Sequence, residues 1–279
     1  MSTSEQTYEL ITATRHDLVL LDAQWNTDAN GGQPSAFMLL RLHHSRFLDA
    51  VAIHSWSDVS LAWEHFEREC TRAVESYDGP GNGGPLKVRP SFSRSGTLSI
   101  SVAPAAPFAH DPLLPFEITH SIDSLPSPLR SAPPLTLYLD TEPTPASVFT
   151  RTKTSLRTPY TSARARFSLP AFGGDSDVLL WSECAPAAAS RAARGMTTET
   201  TVRNVAFFRG RKWVTPAEGT GCLTGVMRRW LIDSGKVVVD GEDARRKVLW
   251  KEKIKDGEMV LVFNAVEGCR LAVVKLKKP

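Results

Sequence analysis

Between residues 103 and 134 the chain runs "APAAPFAHDPLLPFEITHSIDSLPSPLRSAPP", a stretch holding eight prolines. Proline removes a backbone donor and locks φ, so no long helix or inner strand passes through it. The run therefore divides the 279 residues into two parts that each need their own core. The break is expected between residues 120 and 134, with an N-terminal domain over 1–128 and a C-terminal domain over 129–279.

On the N-terminal side, "YELITATRHDLVLLD" mixes β-branched and alternating apolar residues and predicts one or two strands. "NTDANGGQPS" reads as a loop. "AFMLLRLHHSRFLDAVAIHSW" places Leu40, Phe47, Leu48 and Val51 near helical spacing and predicts an amphipathic helix. A second helix is expected through "SLAWEHFERECTRAVESY", capped by Ser57 or Asp58 and stopped by "DGPGNGG". "PLKVRPSFSRSGTLSISVAP" predicts a hairpin turning at Ser95 and Gly96.

Beyond the prolines, "LTLYLD", "DVLLW" and "EMVLVFNAVEGCRLAVVKL" carry strand patterns, and "TTETTVRNVAFFRGRKWVTP" predicts two strands around a turn at Arg209 and Gly210. "TGVMRRWLIDSG" predicts a helix with Thr224 as N-cap and Gly235 as stop. "SECAPAAASRAARG" is read as an excursion at the domain edge. The whole is α/β in content, of the α+β type, with the second half the more β-rich.

Charge and cysteine usage narrow the classes. Thirty-three basic against 30 acidic side chains leave a net charge of +3, too small and too evenly spread for a nucleic-acid or membrane surface. Cys70, Cys184, Cys222 and Cys269 form no CxxC pair and no zinc-like spacing with histidine, so no metal site is expected. Scattered thiols and the lack of a signal-like start point to a cytoplasmic protein.

Individually, the candidate chemical residues have plain readings. Lys153 in "FTRTKTSLRTPY" is by type a solvated cation, although Arg151 and Arg157 nearby favour loss of its proton. Glu199 has the pattern of a strand-edge acid. "TGVMRRW" is a capped helix whose first N–H groups also suit an anion. His43 and His44 sit on the helix that bears Arg46, one of them there to orient it or to cover the domain interface. Trp181, Trp213 and Trp230 read as core.

Their order adds information. "LLRLHHSRFLDA" carries a His-x-x-Arg helix, "TKTSLRTPY" a lysine segment, "TETTVRN" a Glu-x-x-x-x-Asn segment and "GCLTGVMR" a glycine before a helix start. In this order they resemble the class IV aminotransferase family, the pyridoxal-phosphate enzymes of fold type IV. The resemblance implies a smaller N-terminal α/β domain, a larger C-terminal β-rich domain and the cofactor between them. It implies that Lys153 binds the pyridoxal aldehyde and shuttles protons, that Glu199 holds the proton on the pyridine nitrogen, and that Arg46 clamps the phosphate. The backbone N–H groups of Val226 and Met227 complete the phosphate cup, with Asn264 beside it and Tyr160 near the phenolic oxygen.

Within the family, lysine followed four residues later by arginine, together with Gly-Val-Met-Arg, is similar to the lyases that convert 4-amino-4-deoxychorismate to 4-aminobenzoate and pyruvate in folate synthesis. A branched-chain or D-amino acid transaminase of the same fold is the alternative, and a non-catalytic descendant used as a binding protein is the alternative of another class. The dicarboxylate substrate calls for further cations, for which Arg15, Arg89 and Arg157 are candidates. Family members are commonly homodimers, so a homodimer is expected.

Overall fold

The computed structural model describes residues 7–108, 110–117, 133–184, 194–241 and 248–276. The expected 128/129 boundary and most of the 182–195 excursion lie outside them. Two compact units emerge: Met1–Pro107 with Thr152–Arg157, and Phe108–Arg151 with Thr158–Pro279. The chain thus leaves the second unit for six residues to contribute to the first, and Lys153 is among those six.

The first unit is built on one antiparallel sheet. Strands β1 (Glu9–Ile11) and β2 (Thr14–His16) both pair with β3 (Leu86–Ser93), and β4 (Leu98–Pro104) pairs with its other side. Period-two alternation explains why β3 has an inner and an outer face. Leu86, Val88, Pro90 and Phe92 are buried, while Lys87, Arg89, Ser91 and Ser93 are not. Pro90 is tolerated because it lies opposite the gap between β1 and β2, where no ladder donor is needed.

Helices α1 (Gln24–Ala29), α2 (Leu40–Ile53) and α3 (Trp63–Glu75) complete the unit. Phe47 of α2, Phe66 of α3 and Phe92 of β3 meet Leu10, Trp56 and Val88 in its core. Two expectations are corrected here. The loop expected from Asn26 begins as helix α1, because the buried Asn26 binds the Ser35 and Phe37 carbonyls and accepts from Leu39 N. Helix α3 starts after Ala62 without a side-chain cap, while Asp58 pairs with Arg94 at 2.7 Å.

The second unit contains β5 (Leu135–Leu139), α4 (Val148–Arg151), α5 (Thr158–Arg166), β6 (Ser176–Cys184), β7 (Arg194–Thr200), β8 (Asn204–Arg209), β9 (Lys212–Thr215), α6 (Val226–Asp233), β10 (Val238–Val239), β11 (Met259–Asn264) and β12 (Gly268–Lys275). Its sheet has eight strands in the order β10-β9-β8-β11-β12-β5-β6-β7. Only Thr201, Val202 and Arg203 separate β7, at one end, from β8, third from the other. Three residues reach roughly 10 Å, so the sheet must curl until its ends approach.

Inside the curl, Leu135, Leu137, Leu179, Val205, Phe207, Val260 and Val262 pack together. The β8–β9 turn falls one residue later than expected, at Gly210 and Arg211, both at positive φ as a two-residue hairpin with the strands' twist requires. Helix α6 begins after Gly225, and Thr224 makes no cap. No helix among the described residues is long and apolar enough to cross a membrane.

Candidate active site

In the first unit, the Lys153 segment lies against β1 as a further short strand. Ile11 N donates to Lys153 O at 2.8 Å, Ser155 N donates to Glu9 O at 2.9 Å, and Leu10 and Thr154 form an antiparallel bridge. His54 Nε2 lies 2.7 Å from Thr152 Oγ1, and its Nδ1 lies 2.8 Å from the Tyr8 hydroxyl. The lysine backbone is thus clamped on both sides of its Cα. Lys153 and Arg157 are both half-buried, whereas Arg151 is exposed and belongs to the second unit.

Helix α2 brings His43 and Arg46 to the same corner. Leu39, which precedes it, sits at φ 57°, a left-handed conformation that strains a bulky residue, and the bond from its N–H to Asn26 Oδ1 holds it there. His43 is fully buried, with Nδ1 2.6 Å from Thr12 Oγ1. Burial, then the charges of Arg46 and Lys153, holds its imidazole well below the usual histidine range. Arg46 donates from Nη2 to the same Thr12 hydroxyl, while its Nε is buried without a partner among the described residues. Burial pulls its guanidinium down to about 10, still charged at neutral pH. The residue as a whole is half-buried, and a guanidinium with a buried, unpaired Nε is stabilised by an anion placed against it.

The arginines expected at substrate carboxylates differ in setting. Arg15 is buried and forked onto Asp17, with Nε at 2.8 Å and Nη2 at 2.7 Å, and Nη1 binds the Ala106 carbonyl at 2.8 Å. Arg89 is half-buried on β3. Arg15 stands opposite Lys87 across the ladder and Arg89 lies two residues further on, so all three share the sheet face away from the apolar core.

In the second unit, Glu199 lies near the end of β7, 4% exposed. Its Oε1 accepts from the Tyr160 hydroxyl at 2.9 Å and from Leu223 N at 3.2 Å. The structure places Tyr160 as the residue that orients Glu199. The Leu223 carbonyl accepts from Asn204 Nδ2 at 2.9 Å, and a Cβ added at Gly225 would come 1.9 Å from Asn204 Oδ1. Gly225 has ordinary extended backbone, so this close approach, not φ, is why the position takes glycine. The N–H groups of Val226 and Met227, in the first turn of α6, have no intrahelical acceptor. Asn264 is engaged elsewhere, its Oδ1 accepting from Val266 N at 2.9 Å and Glu267 N at 2.8 Å to close the β11–β12 turn.

Beneath Glu199 lies a buried ionic hub that the sequence reading missed. Asp177, fully buried, accepts from Arg164 Nη1 at 3.1 Å, Arg203 Nη1 at 2.9 Å and Thr200 Oγ1 at 2.8 Å. Arg203 also binds Glu267 at 2.5 Å. The hub fixes the β7–β8 turn that follows Glu199. Asn204 was signalled only as the last residue of the Glu-x-x-x-x-Asn pattern, and Thr12 and His54 carried no signal.

A mixed α+β chain with a curled sheet, a lysine segment docked on a strand of the first unit, and an oriented strand glutamate in the second is the architecture of fold type IV. The sequence profile described as Amino-transferase class IV matches residues 27–273, and the chain belongs to that family. A Schizosaccharomyces pombe protein provisionally named aminodeoxychorismate lyase is 31% identical over 179 residues, 64% of this chain and 62% of that protein. The aminodeoxychorismate lyase of Saccharomyces cerevisiae is 28% identical over 208 residues, 68% of this chain and 52% of that protein. The chain therefore spans between half and two thirds of these relatives. Among solved structures, a Legionella pneumophila protein provisionally named 4-amino-4-deoxychorismate lyase superposes with a TM-score of 0.59 at 15% identity, covering 97% of this chain and 85% of that one.

Proposed function

We propose that the protein is a pyridoxal-phosphate-dependent lyase that converts 4-amino-4-deoxychorismate to 4-aminobenzoate and pyruvate. The observation that carries the cofactor reading is Arg46, half-buried as a residue but with its Nε buried and unpartnered among the described residues, in the unit to which the Lys153 segment is docked. The Gly225 approach and the open N–H groups of Val226 and Met227 fit a phosphate as well. The names of the two relatives favour a lyase over a transaminase.

When bound, the cofactor supplies an electron sink for the carbon that bears the substrate amine. Lys153 Nζ would hold the cofactor aldehyde and, as a free amine, would take the proton from that carbon, and Lys153 or a water would then protonate the carbon of the departing pyruvate. Glu199, oriented by Tyr160 and Leu223 N, holds the proton on the pyridine nitrogen. Arg46 of the first unit is proposed to bind the phosphate, and in the second unit the N–H groups of Val226 and Met227 suit the same kind of anion. Arg89 and Arg157 are proposed to meet the substrate carboxylates. Arg15, forked on Asp17, supports the same sheet face. A cytoplasmic homodimer completes the proposal, its assembly measurable by sedimentation.

Borohydride treatment of the full chain with pyridoxal phosphate is expected to fix the cofactor to Lys153, read by peptide mass. Aminodeoxychorismate should then yield fluorescent 4-aminobenzoate. Glutamate formed from leucine and 2-oxoglutarate, without 4-aminobenzoate, favours the transaminase instead. A chain that takes up no label fails as a pyridoxal-phosphate enzyme.

A further inference from the structure

The polar chain at the α2 corner of the first unit has a direction that its donors and acceptors fix. Arginine only donates, so the bond between Arg46 Nη2 and Thr12 Oγ1 uses the arginine's proton. Thr12 is fully buried, and its own hydroxyl proton needs an acceptor. His43 Nδ1, at 2.6 Å, is the acceptor within reach. If His43 Nδ1 carried a proton instead, Thr12 would receive two bonds and bury an O–H with nothing to donate to, and His43 Nε2, which is buried without a partner among the described residues in either case, would be a second unmet group rather than the single one.

We propose that Thr12 and His43 are positioning residues for Arg46. The order Arg46 Nη2–H to Thr12 Oγ1–H to His43 Nδ1 orients the guanidinium and holds His43 as its Nε2–H tautomer. The charged groups that face His43 are Arg46 on its own helix and Lys153 on the segment docked to β1, and both disfavour an imidazolium there. A neutral ring keeps Nδ1 an acceptor, which the chain requires. What Arg46 binds rests on the function proposed above; the order of the hydrogen bonds does not.

Two measurements on the full chain test this. In 15N-histidine-labelled protein at pH 7, His43 is expected to show a bare Nδ1 and a protonated Nε2, assigned by loss of the signal in His43→Gln. An Nδ1–H tautomer or an imidazolium overturns the proposal. Affinities for pyridoxal phosphate and for pyridoxal, which lacks the phosphate, are then compared by absorbance. Thr12→Val should weaken pyridoxal phosphate about tenfold, the scale of one hydrogen bond to a charged group, and leave pyridoxal unchanged. Thr12→Ser should restore the difference. No loss in Thr12→Val, an equal loss for both compounds, or no recovery in Thr12→Ser overturns the positioning role. Should the unaltered protein bind neither compound, the proposed function fails and the tautomer measurement decides the hydrogen-bond order.

Discussion

Tyr160 donates its hydroxyl proton to Glu199 Oε1 at 2.9 Å, and both side chains are buried. The same oxygen takes the Leu223 N–H, so the carboxylate is held from a helix on one side and from the turn before α6 on the other. Tyr160→Phe removes the tyrosine's support along with the hydroxyl's longer contact to the Thr150 carbonyl at 3.4 Å. The expected cost is about 1–3 kcal/mol, read as a lower urea midpoint. On the proposed function, the bound cofactor's absorbance should also shift, because Glu199 then sets the pyridine proton less firmly. An unchanged midpoint and spectrum would show that Leu223 N suffices.

Gly225→Ala drives a methyl group to 1.9 Å from Asn204 Oδ1, while Asn204 is tied to the Leu223 carbonyl. Overpacking of this kind costs about 1–3 kcal/mol. The double variant Gly225→Ala with Asn204→Ser should recover part of the loss, and thermal unfolding of the four proteins gives the coupling. Purely additive losses would refute the contact.

Asp177→Asn removes the one carboxylate shared by Arg164 and Arg203. Taking its carboxylate from the buried Arg164, while Arg203 keeps Glu267, should cost about 3–5 kcal/mol in denaturant unfolding. A loss below 1 kcal/mol, the range of exposed pairs, would mean that the hub is solvated.

Stability should fall in mild acid because His43 stays neutral in the folded chain. Its folded pKa lies well below the ordinary 6.5, so under pH 6.5 the unfolded chain takes up a proton that the native chain refuses. The stabilisation is full above pH 6.5 and is lost as pH falls, by at most about 1.4 kcal/mol per pH unit for one group. His16 and His54, also lowered by burial, add in the same direction. Unfolding measured from pH 7 to pH 5 should show a shallower slope in His43→Gln, and an identical slope would remove His43 as the cause.

Much of the first unit was legible because its signals are local. The spacing of Leu40 and Phe47 announced α2, and Gly96 announced the turn of the β3–β4 hairpin. The caps were misread. Ser57, Asp58 and Thr224 are suitable types near helix starts, but Asp58 finds Arg94 and the helices begin where packing, not a side-chain oxygen, places them. The local bond of Asn264 was not read either: the asparagine that immediately precedes the β11–β12 turn accepts the nearest N–H groups through its Oδ1.

The order of Arg46, Lys153, Glu199 and Gly225 along the chain was enough to resemble a family, because residue types and their succession carry the chemistry. The partners of those residues were not readable there. Lys153 is held by β1 through Ile11 and by Ser155 reaching back to Glu9 across 146 positions, and Tyr160 meets Glu199 across 39. Nothing in local spacing selects such pairs. They form because the chain returns six residues to the first unit and curls the second unit's sheet, and burial then leaves each polar group only the partner that folding brings within reach.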